Sequence, residues 1–430
     1  MKEFFSNLKF VWQYAKDQKV KLIKYILCNF VVVIISVVVP IISANIIIYL
    51  TDSMFYQLLM MASVLCLLEL LRNMLNYFSR YYSMIIFRES FIKIQTALGK
   101  NILRLENKII DSNSSGVFIQ RLTSDTSRLA DIFNVLNLYL SRILINLGIF
   151  IAVFIISFRA FIYLIVMVIV LYLIERRRVR IYNSKDKEFR KQNEKVTGFV
   201  SEIVRGLRDI KMLHSEDSFS SELHSQVEEL NQSRYLMMRV NNRYNCLRFC
   251  LQDIFHLGLI FLLVYLIMTG NLAVANGLVI HNYQGRVTSI IDILGILLQS
   301  IKDFNLSCSR VFAIMYSDQF SKEKFGSRHL DKVNGDFCFS HVNFHYDSNN
   351  RKVLDNLSFE VHANETVAFV GKSGAGKSTI FNLLCKMYDV DSGSITIDGV
   401  DISLLDRESI RGNITIISQS PYIYILVFGI

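Results

Sequence analysis

Thr366-Val367-Ala368-Phe369-Val370-Gly371-Lys372-Ser373-Gly374-Ala375-Gly376-Lys377-Ser378-Thr379 decides the reading of the C-terminal part of this chain. Its first five residues have the apolar, β-branched character of a buried strand. The next eight fit G-x-x-x-x-G-K-[ST], and an apolar helix is predicted to continue from Thr379 to Met387. The glycines allow backbone N–H groups to crowd around phosphate oxygens, and the helix N-terminus adds the positive end of its dipole. Lys377 is expected to reach the β- and γ-phosphates of a nucleoside triphosphate, and the Ser378 hydroxyl to ligate Mg²⁺. Gly371, Ser373, Gly374, Ala375, Gly376 and Thr379 complete the expected cradle.

Around this loop lie further runs of strand type at 337–344, 357–361, 394–397 and 414–418. Upstream, the stretch from 306 to 335 is polar and reads as a linker. Residues 336–430 are therefore a partial α/β P-loop domain.

The first 305 residues read differently. Residues 25–50 carry no charge, enough to cross a bilayer with some tilt, and Pro40 is expected to kink that helix. Six lysines precede it within 24 residues and the connection Thr51-Asp52-Ser53 carries none, which places the N-terminus inside. A second apolar run begins at Met54. Residues 143–158 and 160–174 are separated only by Arg159; as one helix they would be about 48 Å long, too long for a bilayer core. Two spans with an outer turn at Ser157-Phe158-Arg159 fit, and they return the basic run Arg176-Arg177-Arg178 to the inside. Residues 254–285 lack Asp, Glu, Lys and Arg, with Thr269-Gly270-Asn271 as the next outer turn, and a sixth span is expected at 276–301. The result is an all-α six-helix transmembrane domain, 1–305, with two long helical excursions into the cytoplasm.

Composition agrees. Hydrophobic residues make up 52% of the 430, and mean hydropathy is +0.35, too apolar for a soluble chain. The net charge of +10 sits in loops between spans, so membrane lipid is the expected surface partner and nucleic acid is not. Seven scattered cysteines without C-x-x-C read as reduced thiols, the eight histidines show no metal spacing, and the first apolar run is too long for a signal-peptide core.

With these motifs in place the chain resembles the ATP-binding cassette exporters, half-transporters with fused transmembrane and ATP-binding domains. Val342-Asn343-Phe344-His345-Tyr346 is similar to the family's A-loop, which implies that Tyr346 stacks on adenine. Asp391-Ser392-Gly393-Ser394-Ile395 is similar to its D-x-S-G-x-I turn. Ser418-Gln419-Ser420-Pro421 is similar to its Q-loop, which implies that Gln419 approaches Mg²⁺ and the attacking water. Residues 116–131 and 202–216 resemble its two cytoplasmic coupling regions.

The resemblance implies ATP and Mg²⁺ as cofactors and pairing as a homodimer or with another half-transporter. It also implies ATP-driven export of a small molecule, lipid or peptide across a bacterial cytoplasmic membrane. The family's signature, Walker B and switch histidine do not follow the Q-loop in these residues. The alternative expectation is therefore a truncated, non-hydrolysing remnant or regulatory partner of a complete half-transporter.

Charged and polar groups inside spans are costly and point to a cavity or a pair. Glu69 and Arg72, at i and i+3, are expected to neutralise each other. His281, Gln284, Arg286 and Asp292 make the last span unusually polar and are expected either to line a substrate cavity or to pack against neighbouring spans.

Overall fold

The computed structural model describes residues 2–346 and 352–417. The Q-loop with Gln419 lies outside the described residues. The chain divides into two compact units, one of residues 15–87 and 131–302 and the other of 1–14, 88–130 and 303–430.

In chain order the helices are α1 (Lys2–Ala15), α2 (Lys19–Thr51), α3 (Phe55–Ile102), α4 (Asn107–Ser112), α5 (Ser115–Gln120) and α6 (Thr126–Ile156). Then follow α7 (Phe158–Met212), α8 (Glu216–Met268), α9 (Val274–Thr288) and α10 (Ile290–Tyr316). The P-loop region holds β1 (Phe337–His345), β2 (Lys352–Val361), α11 (Lys377–Leu384), β3 (Ser392–Ile397), β4 (Val400–Asp401) and α12 (Arg407–Arg411).

Among the described residues five helical stretches are long and apolar enough to cross a membrane: 3–51, 55–102, 115–156, 158–212 and 216–268. Their ends fall at the expected outer turns. Ser157 caps α7 by accepting the N–H of Ala160, and Gly270 takes a positive φ after α8. The sixth expected span, 276–301, is divided between α9 and α10 by a break at Ser289. The polar side chains that made this segment unusual also lower its hydropathy. Glu69 and Arg72 form the expected ion pair.

The core of this helical unit is built by Ile149 and Val153 of α6, Leu164, Met167 and Leu171 of α7, Leu259 and Leu263 of α8, and Ile280, Tyr283 and Val287 of α9. At Gly258 a Cβ would lie 2.3 Å from the Tyr163 hydroxyl oxygen. The missing side chain lets that ring lie against α8 and donate to the Phe255 carbonyl at 2.9 Å.

The other unit is organised on a four-stranded antiparallel sheet of order β2-β1-β3-β4. Phe339 pairs with Phe359 on one side and Ile395 on the other, and the two phenylalanine rings stack at 4.6 Å. The β3–β4 hairpin turns on Asp398-Gly399, both at positive φ, as a two-residue primed turn requires. The Asp398 carboxylate accepts the N–H groups of Asn334, Gly335 and Asp336 at 2.6, 3.0 and 2.9 Å. Desolvation works to raise its pKa, but these three donors prevail and hold the carboxyl below its ordinary range. Ile380 and Leu383 of α11 join Phe344, Leu354 and Ile397 in the core of this sheet.

Two sequence expectations need correction. Residues 366–370 and 414–417 form no helix or ladder among the described residues, and Val370 is 91% exposed. A strand apolar on both faces is stable only between neighbours, and no described strand lies beside either run. Conversely, β4 and the first five residues of β2 were not expected.

Residues 115–131 rise without interruption through α5, a π turn at Arg121–Asp125 and the start of α6. The wholly buried Asp125 accepts from Ser307 at 2.7 Å and Arg121 at 3.1 Å. The short helix α4 touches the segment after α11: its Asn107 donates to the Met387 carbonyl at 3.2 Å and its Asp111 accepts from Tyr388. Residues 202–216 form the tip of the α7–α8 hairpin.

Candidate functional site

The loop from Gly371 to Gly376 is shaped by backbone conformations that only glycine adopts freely. Gly374 and Gly376 sit at φ of +81° and +85°, and Gly376 is the cap from which α11 starts. A Cβ at Gly376 would approach Leu354 Cδ2 to 2.8 Å and the Val353 carbonyl to 3.2 Å, so β2 lies directly under the turn. Within the loop, Ala375 N–H bonds to Lys372 O at 3.2 Å, and Ile380 N–H to Gly376 O at 3.2 Å begins the helical ladder. The N–H groups of Ser373, Gly374, Gly376, Lys377, Ser378 and Thr379 find no acceptor among the described residues. Such a run of unpaired donors at a helix N-terminus is an anion nest.

The Lys377 ammonium folds back over this nest, donating to the carbonyls of Gly371 at 2.9 Å and Lys372 at 2.8 Å. Ser378 is exposed, whereas Thr379 is buried and receives the Tyr346 hydroxyl at 3.3 Å. Tyr346 packs edge-on against Phe344 at 4.8 Å and Tyr388 at 5.2 Å, and Asn382 of α11 donates to its hydroxyl at 3.4 Å. Tyr346 and α11 are therefore joined by side-chain hydrogen bonds. These residues suit a triphosphate with Mg²⁺: the nest presents donors, Lys377 a cation beside it, and Ser378 a free hydroxyl.

The four polar residues of the last span separate into two groups. Arg286 Nη1 donates to the Ser36 carbonyl at 2.9 Å. Pro40 has no N–H, so the carbonyl four residues earlier, Ser36 O, loses its place in the α2 ladder. Arg286 replaces the missing donor, and Tyr283 donates to the adjacent Val37 carbonyl at 2.5 Å. Asp292 pairs with Arg248 of α8 at 2.5 Å. Arg286 and Asp292 are thus occupied by structural partners.

His281 and Gln284 belong to a second group that includes His256, whose role the sequence did not signal. His256 Nδ1 lies 2.7 Å from Gln284 Oε1, and the two imidazole ring centres are 4.9 Å apart. Gln252 donates to Thr288 at 3.4 Å one turn away.

Comparison with known proteins accounts for both units. The family described as ABC transporter transmembrane region matches residues 22–289, more than half of the chain, and the family described as ABC transporter matches 354–425. Among similar proteins, an uncharacterized ABC transporter ATP-binding protein, YknV of Bacillus subtilis (strain 168), is 28% identical over 330 residues, 75% of this chain and 54% of that protein. A probable multidrug resistance ABC transporter ATP-binding/permease protein, YheH of the same organism, is 27% identical over 77% of this chain and 50% of its own length. An ATP-dependent lipid A-core flippase of Salmonella typhimurium is 25% identical over 85% and 63% respectively. The chain thus spans roughly half to two-thirds of the length of these relatives. The chain belongs to the ABC transporter family, as a multi-pass, exporter-type membrane region fused to part of the family's ATP-binding domain.

Proposed function

We propose that this chain binds Mg-ATP at the Gly371–Thr379 loop. In a dimer with itself or another half-transporter it would use that binding to drive export of an apolar or amphipathic substrate across a bacterial cytoplasmic membrane. The observation that carries the proposal is the nest of unpaired N–H groups with Lys377 folded over it. ATP supplies the free energy of phosphoryl transfer when bound; the chain's own residues hold and orient it. Six N–H donors from Ser373 to Thr379 face the phosphates. Lys377 exchanges two neutral carbonyl acceptors for phosphate oxygens, a stronger, charge-assisted interaction. Ser378 offers its hydroxyl to Mg²⁺, with Gln419 as a second oxygen donor. Tyr346 presents a ring for adenine, held against α11 through Thr379 and Asn382.

Because the chain covers only part of its relatives' length, hydrolysis and transport are proposed for the assembly, and nucleotide binding for the chain itself. Coupling would run through α4, which holds the segment after α11 at Met387 and Tyr388. The test is equilibrium binding of a fluorescent ATP analogue to the detergent-solubilised chain. Lys377→Ala removes a charge-assisted contact of about 1.5–3 kcal/mol, so affinity should fall roughly 10- to 150-fold. Equal affinity of the variant and the parent would sink the proposal.

A further inference from the structure

We infer that His256 and His281 form a binding site for a divalent transition-metal ion of borderline softness, carried free or within a small chelate, inside the membrane unit. The inference replaces the apolar or amphipathic cargo of the export reading with a metal ion or its chelate, and it rests on that reading only for the direction of transport.

The tautomer comes first. Gln284 is 2% exposed, and its amide nitrogen lies 3.7 Å from Met167 Sδ while its oxygen lies 2.7 Å from His256 Nδ1. Turning the amide over would trade its N–H contact to the thioether sulfur, a weak acceptor, for an oxygen–sulfur contact with no donor, which favours this orientation. The Gln284 oxygen therefore accepts from His256 Nδ1, leaving the Nε2 lone pair free. A histidine whose other nitrogen is held by a hydrogen bond is oriented as metal-ligating histidines are.

The spacing is the second point. With metal–nitrogen bonds of about 2.0–2.1 Å, two imidazoles on one ion have ring centres roughly 4.5 Å apart at a right angle and about 5.2 Å apart at the tetrahedral angle. The observed separation is 4.9 Å, with the rings inclined at 46°. His281 makes no hydrogen bond among the described residues, and both rings are only partly buried.

The third point is the donor set. Two imidazoles favour zinc, nickel, cobalt or copper(II) over the oxygen-seeking magnesium and calcium. No group of three or more His, Cys, Asp or Glu suited to a metal occurs among the described residues. At least two coordination positions therefore remain open to water or to a chelate's own donor atoms. An open set suits a passing cargo, whereas structural sites are closed.

The test uses the full chain without a polyhistidine tag, in detergent, titrated with Co²⁺ and separately with Ni²⁺–nitrilotriacetate, whose four donors leave two adjacent positions free. Visible absorption and equilibrium dialysis report binding, and the titrations contain no nucleotide. The parent should take up one ion per chain, and His281→Ala should weaken it at least tenfold. His281→Phe, which keeps ring packing without a donor, should do the same, while His345→Ala should bind as the parent does. Gln284→Leu should weaken binding severalfold through loss of tautomer control. Binding of Co²⁺ supports a free ion, and binding of the nickel chelate alone supports a chelated cargo. Uptake unchanged in both His281 variants, or no uptake of either probe by the parent at 100 times the concentration of chain, would overturn the inference. A chain that binds ATP but neither probe refutes the metal site alone, and one that binds metal but not ATP refutes the export reading.

Discussion

Pro40 and Arg286 should be energetically coupled, although they lie on different helices. In α2 the Ser36 carbonyl has no intrahelical donor because residue 40 is proline, and Arg286 Nη1 fills the vacancy at 2.9 Å. Replacing Arg286 with Met leaves that carbonyl orphaned in a site where Ser36 is only 7% exposed, at a cost of about 1–3 kcal/mol. In a Pro40→Ala background the backbone N–H restored at that position closes the ladder onto Ser36 O, and Arg286→Met no longer strands an acceptor. Measured helix–helix hydrogen bonds in membranes average about 0.6 kcal/mol and reach about 1.7 kcal/mol. A guanidinium donor places this one near the top of that range, so a coupling of about 1–2 kcal/mol is expected. The assay is a double-mutant cycle on equilibrium unfolding in mixed micelles, which cancels effects of Arg286 unrelated to Pro40. An equal cost for Arg286→Met in the two backgrounds would refute the assignment of Arg286 to the proline gap.

Gly376→Ala should place a Cβ at a φ of +85° and 2.8 Å from Leu354 Cδ2, so strain of roughly 1–2 kcal/mol is expected. Titration with the fluorescent ATP analogue should then show a loss of about tenfold or more. Arg411 donates to Glu323 through two nitrogens at 3.0 and 2.7 Å, reaches the carbonyls of Cys385 and Lys386, and lies over the Phe325 ring. Arg411→Lys keeps the charge but not the fork, so about 2 kcal/mol of stability should be lost, read as faster amide exchange around α12. His329 is held above its ordinary pKa by its hydrogen bond to Asp406, and Asp406 is lowered to about 2 by Ser409 and then His329. The Asp406 contribution is present above the ordinary carboxylate range and is lost as pH falls through about 2. The His329 contribution is complete below the ordinary imidazole range and is lost as pH rises through the raised value. Mildly acidic pH therefore favours the pair, and Asp406→Asn should lower the His329 midpoint in an NMR titration.

The P-loop and the apolar runs were legible because each is a local pattern: glycine spacing before a helix, or some 20 residues without charge. The outer turns at Ser157 and Gly270 were legible for the same reason. The strand expected at 366–370 was misread because an apolar, β-branched run gives the preference for a ladder but not the neighbour that completes it. Helix α4 was not legible because it has six residues, too few for any periodicity to register; its contacts at Met387 and Tyr388 lie about 280 positions away. The polar residues of the last span show this limit most clearly. Sequence marks His281, Gln284, Arg286 and Asp292 equally, as costly groups in an apolar setting. What separates them is the partner each finds: a carbonyl freed by Pro40, a guanidinium on α8, or a second imidazole. Arg286 and Asp292 have every reason to be retained by a protein that transports nothing. His256 is held by Gln284, whereas His281 beside it makes no hydrogen bond among the described residues, and that makes this pair the place to test first for a bound ligand.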